Sequence, residues 1–523
     1  MGAEITAHRE DKRKGTFNQA TCLITVRGTW RVTRKSLKSG TGPRAVNGYP
    51  LNERNIEEFA IPETIASCVE TGLLSRNSLL KTIRCPTTVT STGIMMSRVL
   101  FRQVKILDCT GADPYPGEVL IENDRIVAIG RQTELLSGDN AEVIEGRGAT
   151  LMPGLIESHA HLSIENAADL VQIGMIPAEE TMLIALRNAR LYLDCGITSC
   201  LSAAAAKPRV DIVLRNAINR GEFPGPRLLA ASPWLTVTGG LGDMRSLSNP
   251  HVTSMAITLD GPEEFRRMTR ELIREGVDII KLVISGDTFV PHAPSHTTVM
   301  SEAEIAAAAE VVHAHGKRMS AHARSAQAVK LAVKYGVNVI YHANYADEEA
   351  FDLLEANRDW VFVSPNIGFT ATAAYEGEKW FSEQQVQEFG FRDELAGAAA
   401  GLKELRRRGV RILGGGDYGF FVTPHGDNAR DLEHLCRYCG LTPMESLLTM
   451  TRNGGAAMGM PDELGQIREG FLADLLLVGG DPLADPRVLL NRDKLLAVMK
   501  GGQFHRRPIS ATGQDSGGPR GPH

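Results

Sequence analysis

Between residues 151 and 463 the chain repeats one pattern, a short apolar run followed by an amphipathic stretch and then another apolar run. The runs read GLIESHAHL, ITSCLSA, PRLLAAS, DIIKLVIS, RMSAHA, NVIYHA, VFVSPN and RILGGGD. Apolar runs of strand length separated by helical patterns are the signature of βα units, which place parallel strands side by side under covering helices. One such helical pattern is SEAEIAAAAEVVHAHG, where Ser301 is the expected N-cap and Glu304 closes a capping box. Eight runs in succession predict an α/β fold of the (β/α)8 TIM-barrel type. A doubly wound open sheet is the alternative, but no GxGxxG opens the first βα turn.

Polar residues fall at one end of these runs. His159 and His161 end the first run, Lys281 sits inside the fourth, His322 ends the fifth, His342 ends the sixth, and Asp417 closes the eighth. Barrel enzymes take their reactive groups from strand C-termini, so the six are expected to converge on one mouth. Residues i and i+2 of a strand face the same side, so the two imidazoles of His159-Ala160-His161 point together at one ion. Taken singly, each residue has a plain structural explanation. Asp417 after three glycines can cap the next helix, and a strand histidine is commonly a core residue. Lys281 is the hardest to explain that way, because Ile279, Ile280, Leu282 and Val283 flank it and burying a lone ammonium is costly. Together the six predict a metal centre.

The pieces outside this region differ. Residues 1–95 carry 14 Lys/Arg against 8 Asp/Glu, are rich in Ser and Thr, and show no sustained period. We expect a poorly structured N-terminal extension, a targeting segment, or upstream sequence translated from a start codon placed too early. Residues 96–150 turn β-like (LFRQVKILD, then GEVLIENDRIVAIG with Asn123-Asp124 at a hairpin turn), and a matching stretch spans 464–507. These predict a small composite β-sandwich domain built from both sides of the barrel at 151–463. Residues 508–523 are Gly/Pro/Ser-rich and expected to be disordered. The net charge of −5 and the lack of a basic, aromatic-studded stripe argue against nucleic acid as a partner. No apolar run is long enough to span a membrane. Eight cysteines in 523 residues do not form a disulfide framework, and the single CxxC at Cys436 and Cys439 lacks a second pair to complete a zinc site. The expectation is a reduced, cytoplasmic homo-oligomer acting on a small molecule.

The motifs PGLIESHAHL, IIKLVISGD, SAHA, IYHANYADEE and GGGD resemble the amidohydrolase superfamily, and within it the branch of imidazolonepropionase-like proteins, Xaa-Pro dipeptidases and ochratoxin-hydrolysing amidohydrolases. GPRLLAASPWLTVTGG, TPHGDNARDLEHL and GQIREGFLADLLLV strengthen the match, which runs from Val99 to Phe504. The resemblance implies two divalent ions, zinc first and manganese or cobalt as alternatives. It assigns His159, His161 and Asp417 to one ion and His322 and His342 to the other, with Lys281 carboxylated by CO₂ as the bridge. It also implies attack of metal-activated hydroxide on the amide C–N bond of a small molecule of peptide-like or N-acyl amino acid type, with Asp417 as general base and then acid. The fifth run reads His322-Ala323-Arg324-Ser325 and lacks the acid of the mononuclear deaminases, which favours hydrolysis. Carbamates, ureas, lactones and organophosphates are alternative substrates, and a non-catalytic scaffold barrel is the alternative outside enzymology. Arg324, two positions past a ligand, is expected to grip a substrate carboxylate, with Tyr345, His425 and Asn428 lining the pocket. Where many relatives have TGGHGD, this chain has Leu241 in TGGLGD, which points to a more apolar substrate.

Overall fold

A computed structural model of the chain describes residues 4–7, 24–27, 97–131 and 134–508. The chain divides into two compact units, 1–94 and 95–523. In the first, the described residues form one antiparallel pair, Glu4–Ala7 with Ile24–Arg27. The expectations for the remainder of residues 1–95, and for the tail beyond residue 508, lie outside the described residues.

In the second unit the eight apolar runs become eight parallel strands: β1 (Leu155–Ala160), β2 (Ile197–Ser202), β3 (Ala231–Thr236), β4 (Ile279–Val283), β5 (Arg318–Ser325), β6 (Val339–Tyr345), β7 (Phe362–Ser364) and β8 (Arg411–Ile412). Strands β3 through β8 pair in chain order. Strand β1 pairs with β2, and β2 pairs with the short strand Arg227–Leu229 that leads into β3. The break at Ala230 has a local cause. Its N–H is taken by the Asp278 carboxylate at 2.9 Å, and its carbonyl accepts from the N–H groups of Asp278 and Ile279. Pro233 then removes a ladder donor within β3, so the register against β4 slips between Ala231 and Trp234. The Ser232 hydroxyl fills part of the gap by accepting from the Lys281 N–H at 2.9 Å. At the other edge, the Ser158 hydroxyl donates to Gly414 O at 2.5 Å, and a single bridge joins Ala160 to Tyr418, so the segment after β8 returns to β1. The architecture is a TIM-barrel-like α/β fold.

Every residue of β1, β2, β3 and β4 is buried, as required of parallel strands covered on both faces. Helices alternate with the strands along the chain. Helix Glu302–Ala314 has the expected box, with Ser301 accepting from the Glu304 N–H and Glu304 accepting from the Ser301 N–H. Ser325 and Asp347 cap the two helices that follow, Ala326–Lys334 and Glu348–Ala356. The largest core cluster lies between these helices and strands β3 to β8.

The segments on either side of this region form one mixed sheet. It runs in the order Gln503–Arg506, Leu495–Lys500, Leu475–Val478, Thr150–Pro153, Arg98–Ile106, Tyr115–Glu122, Arg125–Arg131, with Glu142–Glu145 also on Arg98–Ile106. The junction between the two chain ends is the antiparallel pairing of Thr150–Pro153 with Leu475–Val478. Asn123 adopts a positive φ of 55° at the expected hairpin turn, a conformation asparagine tolerates better than other side chains. Cys436 and Cys439 lie on the helix Arg430–Cys439 as free thiols, with Cys439 buried and Cys436 half-buried. No helix among the described residues is long and apolar enough to cross a membrane.

Candidate metal centre

Strand β1 is too buried for its polar residues to face solvent, so Glu157, His159 and His161, spaced two apart, face inward together. The His159 and His161 rings lie 5.0 Å apart between centroids. Asp417 meets them from the segment after β8, with Oδ1 3.4 Å from His159 Nε2 and 3.2 Å from His161 Nε2. One ligand atom from each of the three lies within 4.8 Å of the others. His161 Nδ1 lies 3.3 Å from Ala204 O. A carbonyl only accepts, so Nδ1 carries a proton and Nε2 is the ring atom turned toward Asp417. Burial raises the Asp417 carboxyl, but His159, His161 and Lys281 outweigh it and hold the group well below the usual carboxylate range. His161 Nε2 and Asp417 Oδ1, with His159 Nδ1, are buried atoms without a hydrogen-bond partner. A divalent cation satisfies this donor set, since neutral imidazoles and an ionised carboxylate are the forms that ligate.

Lys281 sits on β4 with 1% of its surface exposed. Its Nζ lies 3.8 Å from the centroid of the Tyr341 ring, and His159 also packs against that ring, at 4.0 Å between centroids. Burial, only partly offset by Asp417, holds the amine well below the ordinary lysine value, so it is readily neutral. Only the neutral amine adds CO₂, and the resulting carbamate is an oxygen ligand. His322 and His342, within β5 and β6, touch edge to face at 4.5 Å, and His342 lies 5.7 Å from His159. Burial and Arg324 push His322 down to about 4, and burial takes His342 well below the ordinary imidazole value. His322 Nε2 lies 3.0 Å from Gly286 O. All six expected residues are thus brought to one end of the strands, but only His159, His161 and Asp417 converge as a three-ligand set of His, Cys, Asp or Glu among the described residues.

Two of the six pay in backbone strain. His342 (φ 77°) and Asp417 (φ 64°) are left-handed, a conformation that costs a non-glycine residue about 1–2 kcal/mol and persists only where the surroundings enforce it. Asn366 is one enforcer: its Oδ1 accepts from the His342 N–H at 3.2 Å and its Nδ2 donates to Gly415 O at 2.5 Å. Gly415 itself permits close approach, since a Cβ there would lie 2.5 Å from Glu157 Oε1 and 2.9 Å from His159 N.

The four expected substrate residues divide. Tyr345, the last residue of β6, is 40% exposed. Arg324 is buried, and Asp287, Glu394 and Asn344 accept its hydrogen bonds. His425 has both ring nitrogens engaged, Nε2 with Ile164 O at 3.0 Å and Nδ1 with the Tyr192 hydroxyl at 3.3 Å. Asn428 is fully buried and donates to Glu157 Oε2 at 2.9 Å and to Tyr192 at 3.2 Å. Sequence reasoning missed Glu157, Tyr341, Asn366, Asp287, Glu394 and Trp234. Glu157 was within reach of the same two-residue spacing that singled out His159 and His161. Trp234 packs 6.4 Å from His161 with its buried indole N–H unpartnered. Leu241, in place of a histidine, lies in the apolar cluster with Trp234, Ile164 and Val283.

Residues 150–504 match the amidohydrolase family. Ochratoxinase of Aspergillus niger is 26% identical over 429 residues, which cover 78% of this chain and 87% of that protein. Imidazolonepropionase of Symbiobacterium thermophilum is 23% identical over 385 residues, covering 69% of this chain and 84% of its own length. Among solved structures, a prolidase in complex with N-methylphosphonate-L-proline superposes with a TM-score of 0.69 at 27% identity, over 79% of this chain and all of that one.

Proposed function

The chain belongs to the amidohydrolase family and is a hydrolase of carbon–nitrogen bonds, and from that premise we propose that it is a two-metal amidase of small molecules. In this reading His159, His161 and Asp417 hold one ion, His322 and His342 hold the other, and Lys281, carboxylated by CO₂, bridges them; zinc suits the imidazole and carboxylate donors best. The observation that carries the reading is the convergence of one ligand atom each from His159, His161 and Asp417 within 4.8 Å, with His161 Nε2 and Asp417 Oδ1 buried and without a hydrogen-bond partner. When bound, the ions supply Lewis acidity and lower the pKa of water toward neutrality.

The remaining steps belong to the protein. Asp417, held ionised by its neighbours, takes the proton from the attacking water and passes it to the leaving nitrogen. Ala204 O fixes the His161 tautomer, and Tyr341 holds Lys281 and His159 in register. Phe420, 5.5 Å from His161, and Trp234 shield that imidazole from water. His425 and Asn428, whose polar atoms are committed within the protein, serve as supports behind β1, and Tyr345 remains on the substrate side.

The same reading treats 151–463 as a (β/α)8 barrel, 96–150 with 464–507 as a composite β domain, and the protein as a cytoplasmic homo-oligomer. Metal analysis of the purified chain tests the central claim. Two divalent ions per chain are expected, with loss of amidase activity on chelation and recovery on adding zinc, manganese or cobalt. Full activity in metal-free protein defeats it.

A further inference from the structure

Beside His322 lies a second buried polar cluster that the metal centre does not use. Its core is Arg324, whose side chain is 10% exposed, between Asp287 and Glu394 at 8% and 2%. Arg324 Nε donates to Asp287 Oδ2 at 3.0 Å, and Nη1 donates to Glu394 and, at 3.2 Å, to Asn344 Oδ1. A guanidinium grips a carboxylate through either of two forked pairs, Nε with Nη2 or Nη1 with Nη2. Each fork here has one member already committed. A substrate carboxylate gains a bidentate grip only by displacing a buried acid, which would then lie unpaired. Charge points the same way: one guanidinium faces two carboxylates, so the cluster carries a formal surplus of one negative charge. Thr288, which donates to Glu394 Oε2 at 2.7 Å, ties the loop after β4 to the same acid. The next residue, Phe289, is 44% exposed and packs edge-on or tilted against Phe369, Phe389 and Phe391 at 5.3 to 5.9 Å. An aromatic cluster thus adjoins the acid-rich one through the consecutive residues Asp287, Thr288 and Phe289.

We propose that Asp287 and Glu394 withdraw Arg324 from carboxylate recognition, so that the site takes uncharged amides bearing an aromatic group and discriminates against those carrying a carboxylate beside the scissile bond. The inference rests on the hydrolase reading for its chemistry but not for its binding preference. Arg324 is here a positioning residue that clamps the β4 loop to the helix Phe391–Arg407.

The test uses the full chain with a matched pair differing by one carboxylate, N-benzoylphenethylamine and N-benzoylphenylalanine, with equilibrium binding and turnover measured separately. The neutral member is expected to bind about tenfold more tightly and to show a correspondingly lower KM. In Asp287→Asn, and in Glu394→Gln if it folds, the gap narrows through improved binding of the acid, with kcat on the neutral member changing less than KM on the acid. Equal or tighter binding of the acid by the wild type overturns the proposal, as does failure to bind either compound. Binding of the neutral member without hydrolysis leaves the preference standing and removes the amidase reading instead.

Discussion

Two buried polar clusters, one on β1 and the segment after β8, the other on β5, β6 and the loop after β4, are built to opposite specifications. Around Arg324 the charges are paired: the guanidinium meets two carboxylates and an amide, and Thr288 takes up the free Glu394 oxygen. Around His161 the polar atoms face one another unsatisfied, and the backbone at Asp417 and His342 is left-handed. Burying polar groups unpartnered costs free energy, so a fold keeps such a cluster only where something else completes it. The saturated cluster is a finished structural joint. The unsatisfied one offers polar atoms that a bound ion would complete.

Substitutions should therefore separate the two by what they damage. The largest effect is expected from Lys281→Ala, which removes the lysine proposed to bridge the ions. kcat/KM should fall about a thousandfold, or about 4 kcal/mol of transition-state stabilisation, and short carboxylic acids should partly restore it. Unchanged turnover would end the bridging role. Chelation comes next. Metal held at a thousand times its Kd contributes about 4 kcal/mol of stability by mass action, so the metal-free protein should melt at a lower temperature in calorimetry, and equal melting would show that no ion binds. Arg324→Met attacks the other cluster and leaves two buried acids unpaired. A loss of about 3 kcal/mol in denaturant unfolding is expected even without metal, with bound metal content unchanged. The smallest effect sharpens the contrast. In metal-free protein, Asp417→Asn changes a group whose Oδ1 has no hydrogen-bond partner, so its stability should stay within about 1 kcal/mol of metal-free wild type. A large destabilisation would mean that Asp417 is a structural residue.

What the sequence made legible was local. His159 and His161 share a strand, His322 and His342 end runs whose apolar residues betray strands, and Asp417 follows glycines that allow close approach to β1. Each could be placed from a few neighbouring residues. The partners of Arg324 could not. Asp287 arrives on a loop and Glu394 on a helix 70 residues downstream, and no periodicity links them. The expectation that Arg324 is free to hold a ligand came from its position in β5 alone, which says nothing of what the next layer places against it. His425 and Asn428 show the same limit, since their hydrogen bonds run to Ile164 and Glu157, more than 250 residues earlier. The hairpin at Asn123 and the capping box at Ser301 were readable because turn and cap chemistry lies within four residues.

The pairing of Thr150–Pro153 with Leu475–Val478 has a consequence for how the molecule is made. The Thr150 hydroxyl donates to Gly480 O at 2.7 Å across 330 residues of chain. At about 5–20 residues per second, translation leaves the earlier strand on the ribosome for tens of seconds before its partner exists. Throughout that interval an unpaired strand edge is open to neighbouring nascent chains, and a protein cut short before Leu475 would carry that edge permanently.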